Sequence, residues 1–140
     1  MDFRFTDQQV AFRDTVKSFF KDMSSSNSIR ALWKDAKGFD DNRWKTLKNL
    51  GVIGMLIEEE EGGLGLNDVD FVLIAEEAGY AALPEPLIDV GWITASLLKE
   101  LPNNYKENWK AKLANGDLIA LTGYELNKFL PSAHLADIFF

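Results

Sequence analysis

Gly51-Val-Ile-Gly-Met-Leu-Ile-Glu-Glu-Glu-Glu-Gly-Gly-Leu-Gly-Leu66 joins two helical patterns through an apolar segment, a block of four carboxylates and three closely spaced glycines. Gly62, Gly63 and Gly65 can take backbone angles closed to other residues, so the chain can fold back tightly at this point. Leu64 and Leu66 alternate with them, which predicts a loop pinned to a core. A flexible linker would carry Ser and Gly without leucines.

Outward from this stretch, helical periodicity dominates. Phe5-Thr6-Asp7-Gln8-Gln9-Val10 reads as a helix start: Thr6 caps, Gln9 reaches back to the Thr6 amide, and Phe5 staples onto Val10. Phe12, Val16, Phe19, Phe20 and Met23 then recur as one apolar stripe. Ser24 to Ser28 predicts a loop, because short polar side chains compete for the backbone. Ile29, Leu32, Trp33 and Ala36 suggest a short helix stopped at Gly38. Asp40 or Asp41 is expected to cap a helix carrying Trp44, Leu47 and Leu50 on one face and ending at Gly51.

Beyond the glycines, Asn67 or Asp68 caps a segment (Val69, Phe71, Val72, Leu73, Ile74, Ala75, Ala78) that is apolar nearly all round and closes at Gly79. Such a helix is expected to lie buried at the centre of a bundle. Leu83-Pro84-Glu85-Pro86 forces an extended corner. Leu87 to Leu101 is a second central helix, with Gly91 and Ala95 four apart so that a neighbouring helix can approach closely. Pro102-Asn103-Asn104 breaks it, and Tyr105, Trp109 and Leu113 line a shorter helix that ends at Asn115-Gly116.

After Gly116 the pattern changes. Leu118 to Thr122 and Leu135 to Phe140 are short, apolar and partly β-branched, and read as two strands with a turn at Pro131 to His134. A two-stranded piece is marginal alone, and Phe139-Phe140 would present an aggregation-prone edge. The expectation is a fragment, or a sheet completed by another chain or segment.

Composition sets the outer limits. The chain has 140 residues, enough for one domain with a real core, and 46% hydrophobic and 26% charged residues are ordinary for a soluble protein. No cysteine is present, which removes disulfides, thiolate metal sites and a cysteine nucleophile. The first residues carry neither the basic nor the apolar region of a signal peptide. No apolar run reaches the roughly 18 residues of a membrane span. A net charge of -7 argues against nucleic acid or membranes as partners. A cytoplasmic location is therefore expected.

Trp44, Leu47, Leu50-Gly51, Gly54, Ile57, Glu59-Glu60, Gly62-Gly63-Leu64-Gly65 and Glu76-Glu77-Ala78-Gly79 together resemble the N-terminal helical domain of the acyl-CoA dehydrogenase family. That family usually reads Pro-Glu-Glu-Tyr-Gly-Gly-Leu-Gly here; this chain has Glu58 and Glu61 in place of the proline and tyrosine. The resemblance implies a mainly α fold, with a helical bundle over residues 1–116 and the start of a small β-domain over 117–140. It implies FAD in the complete protein and an acyl-CoA substrate. Partners would be the remaining polypeptide or a partner subunit in a homo- or hetero-oligomer. In the family a carboxylate of a later helical domain removes the α-proton while hydride leaves the β-carbon for the flavin. No residue here matches that base, so no catalytic residue is assigned and the chain alone is expected to be inactive.

Ile119, Leu121 and Thr122 match the start of the family's flavin-facing strand and are the cofactor-binding candidates. Gly123-Tyr124-Glu125 follow, where the family has Glu-Pro and then a Gly-Ser-Asp-like stretch. Pro131 to Asp137 resembles a later family segment that arrives early. These departures leave a second reading, a non-catalytic scaffold or partner subunit. The Leu83-Pro84-Glu85-Pro86-Leu87 element is similar to the branch that works as two-subunit assemblies on bulky substrates, steroid side chains included. No metal site is expected, because Glu58 to Glu61 lacks the alternation of a calcium loop and reads as a solvated acidic turn. Gly62 to Gly65 lacks the flanks of a phosphate cradle. His134 reads as a polar loop residue, and Ser24 to Ser28 as a plain loop with a lesser chance of bordering the acyl-CoA cleft.

Overall fold

The computed structural model describes residues 4–101, 108–125 and 129–140, and within them the chain is a helical assembly with one small sheet. Helix α1 (Asp7–Met23) has the capping box its sequence predicts. The Gln9 amide donates to Thr6 Oγ1 at 3.2 Å, and the Thr6 amide donates to Gln9 Oε1 at 2.8 Å. Val16 and Phe20 are buried and Phe12 and Phe19 partly so, whereas Phe5 and Met23 at its two ends are exposed.

The serine run is not the plain loop expected. Ser25 accepts from the Ser28 amide and caps α2 (Ser26–Leu32), so the same side chains that end one helix begin the next. Helix α2 stops at Leu32, and Trp33, expected on its apolar face, is 74% exposed. Its seven residues bury only Ile29, too little to extend the helix to Gly38. Asp40 then accepts from the Asn42 and Arg43 amides and caps α3 (Asp41–Asn49). Gly51, at φ +74°, ends it.

Val52, Ile53, Met55, Leu56 and Ile57 are buried without exception, each contributing on the order of 1.5–3 kcal/mol. The glycine loop folds back on this segment: Leu64 donates to Gly54 O, Gly65 to Ile57 O and Leu66 to Met55 O. A Cβ at Gly63 would lie 2.1 Å from the Ile57 carbonyl oxygen, so only glycine fits the contact. The carboxylates between form a 3-10 turn (Glu59–Glu61) at the surface.

Helix α4 (Asp68–Tyr80) is capped by Asn67, with Asp70 reaching back to the Asn67 amide. It packs against α1, where Gln9 Nε2 donates to Asp70 Oδ1 at 2.6 Å and Lys17 pairs with Glu77 at 2.8 Å. Two expectations are corrected. The helix is one-sided: Phe71, Leu73, Ile74 and Ala78 are buried, but Val69 and Val72 are exposed and Tyr80 is 91% exposed. It also runs past the expected stop at Gly79 to Tyr80, and Ala82 (φ +49°) takes a left-handed conformation just beyond it. Counting apolar residues overstated burial because valine is tolerated on a surface face.

The proline corner leads into a helical run, residues 87–100, composed of a π-helical stretch (Asp89–Thr94) and α5 (Ala95–Glu100). Close approach at Gly91 is realised: a Cβ there would meet the Ile53 carbonyl at 3.1 Å and the Phe71 ring at 3.2 Å. Phe71 and Trp92 lie 5.3 Å apart, and Trp92 Nε1 donates to Asp68 at 2.7 Å, so the two apolar segments are side by side. The expected break at Pro102 and the placing of Tyr105 fall outside the described residues. Helix α6 (Trp109–Ala114) buries Leu113 and ends at Asn115, and Trp44 Nε1 donates to Gly116 O at 3.1 Å.

The strands are shorter than expected. Strand β1 (Ala120–Leu121) pairs in parallel with β2 (Ile138–Phe139), Ala120 opposite Ile138 and Leu121 opposite Phe139. Leu135, assigned to a strand, lies in a 3-10 turn (Ala133–Leu135) that brings the chain back across β1. Leu118, Ala120 and Leu121 belong to the same core as the helices, and Trp109 meets Phe140 edge-on at 5.2 Å. Among the described residues no helix is long and apolar enough to cross a membrane.

Candidate functional site

Two features converge where β1 meets the π-helical stretch. In and beside β1, the Ile119 carbonyl accepts from the Asp137 amide, the Leu121 carbonyl from the Phe140 amide, and Gly123 donates to the Phe140 carbonyl. The odd-numbered residues thus face β2, and strand alternation turns the backbone groups of Ala120 and Thr122 to the opposite edge. The side chain of Leu121 is wholly buried, that of Ile119 partly, and Thr122 is half-buried. Thr122 Oγ1 lies 3.0 Å from Oγ1 of Thr94, a residue with no exposed surface.

The three cofactor candidates therefore lie together but not alike. Leu121 anchors the strand in the core, and Ile119 is tied at its amide to Asp137 Oδ2 at 2.8 Å. Of the three, Thr122 combines a hydroxyl with a backbone turned to the edge that carries no strand among the described residues. A hydroxyl offers one donor and two acceptor positions, so Thr122 retains capacity beyond its contact with Thr94. The side chain of Leu121, wholly buried, could not touch a ligand at that edge.

The proline corner is held by a buried ion pair that sequence reading missed. Arg43 Nη1 lies 2.9 Å and 3.1 Å from the two Glu85 oxygens, with both side chains at 0% exposure. Arg43 Nη2 donates to the Met23 carbonyl, and the Asp40 amide donates to Glu85. The pair thus ties the end of α1, the start of α3 and the corner. Burial pushes the Glu85 carboxyl up from its ordinary value, against the opposing pull of Arg43. The available signal was position: Arg43 sits four residues before buried Leu47, on the apolar face of α3.

A crevice of about 280 Å³ opens beside the corner, lined among others by Leu83, Pro86, Leu87, Ile88, Asp89 and Ser132. Burial also raises the Asp89 carboxyl, eased by its own amide. A second crevice, of about 420 Å³, lies between the ends of α1 and α4, with Phe20, Ser24, Ser25, Glu77 and Tyr80 in its wall. His134 Nε2 is 2.9 Å from the Lys37 carbonyl, which can only accept, so that nitrogen carries the proton. Among the described residues no three His, Asp or Glu side chains converge to hold a metal.

Residues 6–117 match the family description acyl-CoA dehydrogenase, N-terminal domain. The chain is 30% identical over 94 residues to acyl-CoA dehydrogenase IpdE2 of Mycolicibacterium smegmatis, an alignment covering 66% of this chain and 30% of that protein. It is 28% identical over 93 residues to the protein of the same name from Mycobacterium tuberculosis, covering 66% and 29%. The chain thus spans about a third of the length of the curated relatives it matches. Among solved structures, the ChsE4-ChsE5 complex from Mycobacterium tuberculosis superposes with a TM-score of 0.78 at 21% identity, over 87% of this chain and 34% of that one. A variant of the steroid ACAD Tcur3481-Tcur3483 gives 0.76 at 20% identity, over 83% and 32%. At these identities the structural likeness speaks to the fold.

Proposed function

This chain belongs to the acyl-CoA dehydrogenase family, and we propose that it is the N-terminal helical domain of a flavin-dependent enzyme that dehydrogenates a CoA thioester between its α and β carbons. The observation that carries the proposal is the family match across residues 6–117, followed by strand β1 and, just past it, Thr122 in contact with Thr94. When bound, the flavin supplies the acceptor for the hydride that leaves the β-carbon. This chain's share is to wall the acyl cleft with the proline corner and the π-helical stretch. Leu121 fixes β1 in the core, and Thr122 offers a hydroxyl and backbone groups toward the cofactor, with Ile119 just before the strand. The base that takes the α-proton belongs to a later helical domain.

The domain boundary is placed near Gly116-Asp117, which the end of the family match at residue 117 supports. The proline corner, together with the structural likeness to a steroid ACAD and a two-component complex, supports a bulky thioester substrate and a partner subunit. The test is spectroscopic: full-length protein purified without added cofactor should absorb in the visible blue as a flavoprotein, and the 140-residue chain alone should show no turnover. A colourless full-length protein would instead favour a helical scaffold. Acyl-CoA oxidation by the isolated chain would overturn the assignment of the base to another domain.

A further inference from the structure

We propose that Thr94 is a positioning residue that turns the Thr122 hydroxyl into a hydrogen-bond donor toward the cofactor edge; this rests on the reading that β1 faces a flavin. Thr15 and Thr46 use their hydroxyls conventionally, each donating at 3.0 Å to the carbonyl four residues back, Ala11 and Asn42. Thr94 does not. Its hydroxyl is turned out of the π-helical stretch to Thr122, 28 residues away in sequence. π-helical turns are rare and concentrate at functional sites, and this one points the side chain at the candidate strand.

The direction of the bond follows from burial. Thr94 has no exposed surface, so its hydrogen cannot turn to water. If Thr122 donated, the Thr94 hydrogen would be left without a partner, an expensive arrangement for an enclosed group. If Thr94 donates, its hydrogen is satisfied and Thr122 accepts through one lone pair. The hydrogen of Thr122 is then free to point to the half-open side, where a ring nitrogen or oxygen can accept it. Thr94 thus selects the polarity of Thr122 without touching the ligand.

The experiment uses the full-length protein and four variants: Thr94→Val, Thr94→Ser, Thr122→Val and the double Thr94→Val/Thr122→Val. Flavin dissociation constant and the position of the visible absorption bands are read for each, with circular dichroism as a check on folding. Thr122→Val is expected to weaken flavin binding about tenfold and to move the bands. Thr94→Val should move both in the same direction by a smaller amount, Thr94→Ser should restore them, and the double variant should match Thr122→Val alone. If Thr94→Val does not fold, Thr94→Ala takes its place in the same comparison. Should Thr122→Val change flavin binding while Thr94→Val leaves it untouched, or should the two effects simply add, the positioning role is overturned and the flavin reading stands. If Thr122→Val itself changes nothing, both fall.

Discussion

Arg43 and Glu85 show how much one pair of side chains decides in a core otherwise made of hydrocarbon. Both are removed from water, and each leaves a full charge stranded if the other is lost. Arg43→Met is therefore expected to cost about 3–5 kcal/mol near neutral pH. The pH dependence has a definite sign. Burial holds the folded-state value of Glu85 above its unfolded value, so the native state binds the proton more tightly. That stabilisation is complete below the unfolded value and is lost as pH rises through the folded one. Without Arg43 the raised value climbs further, and the variant should be more severely destabilised at about pH 8 than at about pH 5. Denaturant midpoints at the two pH values check this, and an equal loss at both would mean that water reaches the pair. Neither residue announced itself in sequence. Glu85 stands in sequence only as part of an extended proline corner, and its partner lies 42 positions away. Thr122 was singled out through its resemblance to a family strand, whereas Thr94 was not, because its contact with Thr122 spans 28 residues.

At the scale of elements, caps and periodicity were readable because they are local. The Thr6 and Gln9 box, the Asp40 cap and the Asn67 cap all occur where the side-chain types place them. Thr6→Ala should cost about 1 kcal/mol, visible as a lower urea midpoint with an unchanged slope. Tertiary choices were not readable in the same way. Ser25 begins a helix where a loop was expected, and α4 presents Val69, Val72 and Tyr80 outward although its composition suggested full burial. The glycines separate cleanly by environment. Gly63→Ala drives a Cβ into the Ile57 carbonyl and should destabilise by about 3 kcal/mol or more. Gly79→Ala meets nothing within 4 Å in the last turn of α4 and should stabilise by about 0.5 kcal/mol. Thermal melts of the two variants should move in opposite directions; a gain from Gly63→Ala would refute the folded-back loop.

At the scale of the molecule, the two apolar segments around Phe71 and Gly91 do lie side by side, and the apolar stretch 52–57 and strand β1 complete one core with them. The family was legible because the spacing of Trp44, Gly51, the glycine loop and Glu76 to Gly79 survives as a set. The small sheet was the least legible part, since parallel pairing of two-residue strands depends on a crossing that local propensity does not encode. The proposal that these helices wall an acyl cleft is one for the full-length protein to test. The most direct measurement is therefore an anaerobic titration of the full-length protein with CoA thioesters, from straight-chain to steroid side-chain, followed at the visible flavin band. A band that is present and bleaches with a bulky thioester is the predicted result. A protein with no flavin band, or with one that no thioester alters, would contradict the account.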